Sequence, residues 1–203
     1  MADSNKAINL LREFYDIVNS IYGVYLDSTR GFDLVKKQQI EVQQLAIQKL
    51  AKTHPAIASV DCLDKRKMIY SAGDPNKPDS VVLHACSQAE LKARNEKGGH
   101  NCQFVANMCL VTIYQYWEDQ YRGAIASAFE AEKNAIKSDI MGDIKHLRSS
   151  IIHNRAKAVK EVEKCKLLKW FKRGEQISIS EDMFKELIRQ IYEFIEGLAK
   201  KLN

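Results

Sequence analysis

The chain has few structure breakers: three prolines and nine glycines in 203 residues. All three prolines (Pro55, Pro75, Pro78) fall in one stretch, so most of the chain is free to be helical. No apolar run approaches the ~20 residues that a membrane span needs. The first sixteen residues, MADSNKAINLLREFYD, lack the apolar core of a secretory signal. Five cysteines, odd in number and without CxxC spacing, give neither a disulfide framework nor a structural zinc site. These absences point to a reducing compartment, with the cytoplasm as the default. The chain also lacks a G-x-S-x-G elbow, a glycine-rich phosphate loop of Walker or Rossmann form, and HExxH. NEKGGHN (95–101) matches none of them and reads as a helix break. No metal site and no cofactor is expected.

Acidic residues are missing where basic ones gather. The net charge is only +5, yet no Asp or Glu occurs from Ile144 to Lys160, and KCKLLKWFKR (164–173) adds five cations without an acid. A basic stripe in one third of the chain suits a polyanion.

What is present is mostly helical periodicity. Ala7, Leu10, Leu11, Phe14, Val18, Ile21, Tyr22 and Tyr25 recur at helical spacing. Gly31-Phe32 punctuates, and Leu34, Val35, Ile40, Val42, Leu45, Ile47 and Leu50 mark a second helix ended by Thr53-His54-Pro55. Residues 1–54 are thus expected to form an antiparallel helical hairpin. Residues 55–86 hold the β-like runs KMIYS and SVVLHA around the turn-rich AGDPNKPD, a loop or small hairpin inserted between helices. Ser87 to Glu90 has capping-box form and starts a short helix. A long buried helix is expected from Asn101 to about Glu132, with Ile113, Trp117, Tyr121, Ile125 and Phe129 spaced by fours. ISIS (177–180) reads as extended, and Ser180 caps an amphipathic closing helix carrying Phe184, Leu187, Ile188, Ile191, Ile195 and Leu198. The expected fold is all-α: one domain over residues 1–203, a helical bundle with a β-like insertion around residues 55–86. Its parts are the hairpin (1–54), the insertion (55–100) and the helical core (101–203).

The chemistry gathers in HLRSSIIHNR (146–155). On a helix, Ile140, Ile144, Leu147 and Ile151 share the core edge, while Asp139, Asp143, His146, Ser149, Ser150 and His153 lie on the far side. Arg148 and Arg155 flank the core stripe. Upstream, Glu118 and Arg122 in WEDQYR form an i,i+4 pair that supports its own helix. Cys102 and Cys109 read as core residues, and Trp170 and Phe171 as a helix-end anchor with base stacking as the functional alternative.

RSSIIHN resembles the R-x4-6-H motif of the HEPN superfamily: Arg148, four residues, His153, then Asn154. The run through YQYWEDQYR, the motif helix, WFKRGEQISIS and the closing helix resembles stand-alone prokaryotic HEPN proteins over roughly residues 100–200. Where that family often carries an amide or acid after the arginine, this chain has Ser149. The resemblance implies a metal-independent endoribonuclease in which the ribose 2′-OH attacks the adjacent phosphate. His153 would move the proton and Arg148 would hold the charge that develops on the phosphate. Arg148 and His153, five apart, diverge by about 140° on a helix. A composite site in a homodimer, as the resemblance implies, brings two copies of each to one cleft. His146, Ser149, Ser150 and Asn154 would then sit behind the site or at the interface, and Glu118, Asp119 and Arg122 would brace it. Arg155, Lys157, Lys160, Lys169, Lys172 and Arg173 would hold RNA phosphates. The resemblance further implies a toxin or defence component with an antitoxin or defence-system partner protein. The competing readings are a non-catalytic HEPN-like module that binds a nucleotide or a partner protein, and a helical scaffold with no ligand.

Overall fold

A computed structural model describes residues 4–74 and 77–201. The fold is mostly α-helical. In chain order come α1 (Ser4–Thr53), α2 (Val60–Asp64), β1 (Lys67–Ala72), β2 (Val81–Ser87), α3 (Gln88–Arg94), α4 (His100–Tyr116), a π-helical segment (Trp117–Tyr121), α5 (Arg122–Ala128), α6 (Asp139–His153) and α7 (Glu181–Ala199).

The expected N-terminal hairpin is instead one helix of 50 residues. Gly23 and Gly31 lie inside it, and neither adopts a positive φ. A helical glycine costs about 1 kcal/mol, too little to break so long a ladder without proline or a turn partner nearby. The long helix expected over 101–132 is also adjusted. Its α-helical ladder widens into the π segment at Trp117–Tyr121, and α5 ends at Ala128.

The chain divides into two compact units, Met1–Leu26 with Gln103–Asn203 and Asp27–Cys102. In the first unit, Phe14 packs on Trp117 and Tyr121 with ring centroids 5.5 and 5.2 Å away. Tyr25 stacks on Phe184 at 4.1 Å. The six stripe residues of the closing helix, Phe184, Leu187, Ile188, Ile191, Ile195 and Leu198, are buried, and Ser180 caps that helix by accepting from the Met183 amide. Trp170 and Phe171 are half-buried against this core, the anchoring role expected of them.

In the second unit, KMIYS and SVVLHA pair as an antiparallel hairpin with Tyr70 opposite His84. Ser87 and Glu90 form the expected capping box of α3. The α1 face buried here is polar. Gln43 donates to Asp64 (2.6 Å) and Gln88 (2.8 Å), and Lys92 bridges Gln43 and Asp64 at 2.9 and 2.7 Å. Leu34, Val35, Val42 and Leu45, whose spacing marked the expected second helix, are exposed.

Candidate functional site

Helix α6 is built as its sequence directs. Ser138 caps it by accepting from the Met141 amide, and Ile140, Ile144, Leu147 and Ile151 are buried. Two residues placed on the far, polar side turn out to be buried: Asp143 (2% exposed) and Ser150 (0%). Their partners explain this. The Asp143 carboxylate accepts the backbone amides of Lys166, Leu167 and Leu168 at 2.7 to 3.0 Å, pinning an irregular segment that has no ladder of its own. The Ser150 hydroxyl donates to the His146 carbonyl (3.2 Å) and accepts from the Val159 amide (3.1 Å). Ser150 thus clasps the loop that follows the motif and is closed to substrate.

Arg148 is half-buried and held on α4. Its guanidinium lies over the Tyr114 ring, 5.5 Å from the centroid, and Nη2 donates to Gln115 Oε1 at 3.2 Å. Gln115 in turn donates to Asp119, so the expected bracing by Asp119 reaches Arg148 through an amide. Sequence reasoning missed Gln115. Its signal was an amide and an acid four apart on one helix face, a recognised helix-surface pair. Arg148 Nε is buried and has no partner among the described residues.

Glu118 and Arg122 form a separate cluster. Arg122 donates to Glu118 (3.0 Å) and Asn134 (3.4 Å), and Lys133 pairs with Glu118 at 2.9 Å. Burial pulls the Glu118 carboxyl up, but Lys133 and Arg122 outweigh it and hold it below the usual range. Among the described residues, neither Glu118 nor Arg122 bonds to Arg148 or His153, so the bracing expected of this pair serves the 133–135 turn instead. Both residues, with Tyr114, Ser138, Asp139 and Lys145, border a cavity of about 250 Å³ that Arg148 does not line.

His153 is the last residue of α6 and is exposed, as are Asn154 and Arg155. His146 is half-buried, and burial holds its pKa below the ordinary value. Ser149 is also half-buried. After Asn154 the backbone turns left-handed at two consecutive non-glycine residues, Arg155 (φ 52°) and Ala156 (φ 59°). Such residues cost about 1–2 kcal/mol each. Tertiary bonds hold the turn: Ala156 N donates to Ser150 O (3.1 Å), Ile177 N to Ala156 O (2.7 Å) and Ala158 N to Glu175 O (2.8 Å). A single antiparallel bridge joins Lys157 to Gln176, just before ISIS.

This stitching gathers half of the expected RNA-binding cations. Lys157, Lys160 and Arg173 line a depression of about 430 Å³ together with Asn154 and Gly174, and no carboxylate lines it. None of the three cations has an ion-pair partner among the described residues. Arg155, Lys169 and Lys172 are exposed but do not line it. The thiols of Cys109 and Cys165 are buried and pushed up to about 11 and about 12 by that burial, so both stay protonated. Among the described residues, no three His, Cys, Asp or Glu side chains are grouped to hold a metal ion. No helix among them is long and apolar enough to cross a membrane.

Comparison with protein families, with curated proteins and with solved structures finds no match.

Proposed function

We propose that this protein is a metal-independent endoribonuclease of HEPN type. One observation carries the reading: Arg148 of α6 fixed on α4, the exposed His153 closing α6, and an acid-free cationic depression whose lining begins at the next residue, Asn154. His153 takes the proton from a ribose 2′-OH, and the oxygen attacks the adjacent phosphorus. The bond to the 5′-oxygen breaks, leaving a 2′,3′-cyclic phosphate and a 5′-OH that takes up a proton. Arg148 donates N–H groups to the phosphate oxygens as charge builds there. Gln115 and Tyr114 fix its direction, so the guanidinium does not reorganise during the step. Lys157, Lys160 and Arg173 hold a neighbouring phosphate of the strand.

The two motif residues diverge by about 140° along α6, so one copy does not aim both at one phosphorus. The proposal therefore includes a homodimer that pairs Arg148 of one copy with His153 of the other. A toxin or defence role in the cytoplasm, with an antitoxin or defence partner, rests on the resemblance alone.

RNA cleavage in EDTA tests the reading. Wild type yields 2′,3′-cyclic phosphate ends. His153→Ala lowers the rate by about 10²–10⁴-fold and Arg148→Ala by about 10²–10³-fold. Intact RNA with wild type, or equal cutting by His153→Ala, sinks the proposal and leaves a binding module. A strictly monomeric mass at micromolar concentration removes the composite site.

A further inference from the structure

NEKGGHN plays no part in the ribonuclease reading, yet the structure builds it with care. Gly98 adopts φ +72°, where only glycine is relaxed. A Cβ on Gly99 would lie 2.6 Å from the Ala93 carbonyl oxygen and 2.9 Å from those of Arg94 and Glu96. Both glycines are required for the chain to double back so tightly from α3 into α4. Asn95, buried, secures the turn by donating to Leu91 O (2.8 Å) and accepting from Asn101 (2.8 Å). The outcome is that His100, the first residue of α4, returns to the side of Arg94 at the end of α3.

There it meets the β-hairpin. His84, Cys86, Glu90, Ala93, Arg94 and His100 line an open depression of about 460 Å³. Arg94 Nη1 lies 2.6 Å from His84 Nε2. A guanidinium only donates, so Nε2 supplies the lone pair and the ring proton sits on Nδ1. Arg94 is short of acceptors. Its Nε is buried with no partner, and no ion pair engages its charge among the described residues. The one carboxylate among the residues lining the depression, Glu90, is already occupied: one of its oxygens accepts the Ser87 amide (2.6 Å) and hydroxyl (2.9 Å). A cation and two imidazoles thus surround a space whose one acid, Glu90, caps α3, its carboxyl held below the usual range by the Ser87 bonds and, less strongly, by the charges of Arg94 and His84. Beside it stands Tyr70, 46% exposed, opposite His84 in the ladder with its ring centroid 5.8 Å from the imidazole.

We propose that Arg94, His84 and His100 bind the phosphate of a nucleotide whose base lies against Tyr70. Guanidinium and imidazole N–H groups suit a phosphate monoester, and an exposed aromatic ring accepts any base by stacking. The phosphate is that of a free nucleotide or of an RNA 5′ end. The proposal is independent of the ribonuclease reading, since it uses no residue of α6.

Calorimetric titration of the full-length chain tests it with adenosine monophosphate, inorganic phosphate and adenosine. Saturable binding of the monophosphate is expected, weaker binding of phosphate, and the weakest of adenosine. Arg94→Ala and His100→Ala each weaken the monophosphate tenfold or more. His100 is exposed, so its variant keeps the fold testable if Arg94→Ala does not fold. Tyr70→Leu weakens the monophosphate and leaves inorganic phosphate unchanged. A 5′-phosphorylated trinucleotide, titrated into a His153→Ala chain, separates the sources: tighter than the monophosphate supports an RNA end, weaker a free nucleotide. Absence of saturable binding of either phosphate compound, or full-strength binding by a folded Arg94→Ala or His100→Ala chain, overturns the proposal.

Discussion

Asp143 commits its carboxylate to three consecutive backbone amides from a segment that has no other ladder. Replacing it with alanine strands those donors inside the protein, at about 1–3 kcal/mol for each unsatisfied group. Asp143→Ala should therefore lower the urea midpoint sharply, by far more than a change at the exposed Lys145. His146 supplies a pH dependence. Burial holds its folded pKa below the unfolded value, so between the two values the unfolded chain binds more protons. Its contribution is complete above about pH 6.5 and is lost as pH falls through the lowered value. Thermal melts at pH 7.5 and pH 5 should show a larger loss for wild type than for His146→Gln; equal losses would contradict this. At this scale the sequence showed residue types and spacing but not partners. Asp143 and Ser150 look like polar-face residues in a helical projection, because nothing in that projection announces an unladdered segment waiting for acceptors.

The elements were legible where the signal was local. The capping box at Ser87 and the cap at Ser180 depend on neighbours within four residues, and the β runs and the stripe of α7 show in the pattern of one short segment each. The failures came where distant partners decide. Leu34, Val35, Val42 and Leu45 have helical spacing, yet in this unit α1 buries Gln39 and Gln43 because Gln88, Asp64 and Lys92 wait there as partners. The left-handed pair Arg155–Ala156 has no glycine to announce it. Ala156→Gly should stabilise the chain by about 0.5–1 kcal/mol, the reverse of the usual glycine effect, because it relieves a positive φ. Chemical denaturation measures this directly, and destabilisation would show that the turn is not strained.

The mild overall charge conceals a local concentration at the level of the whole molecule. If Lys157, Lys160 and Arg173 meet phosphates together, replacing all three with glutamine reduces the slope of log affinity against log salt by about 2 for single-stranded RNA. An unchanged slope would place the polyanion elsewhere. Connectivity carries a further consequence. Phe14 on Trp117 and Tyr121, with Cys109 Sγ 3.9 Å from the Ile21 carbonyl, shows that the start of α1 and the run from α4 to the π segment are antiparallel neighbours. Carried forward, this register brings residue 26 close to residue 103, the two points between which the second unit leaves and rejoins the first. In chain order, residues 27–102 are thus a guest spliced into a helical host. A two- to eight-residue turn is the ordinary link between antiparallel helices. A chain with such a turn in place of residues 27–102 should keep its helical circular dichroism and the RNA cleavage proposed for α6, while losing the nucleotide binding proposed for the guest.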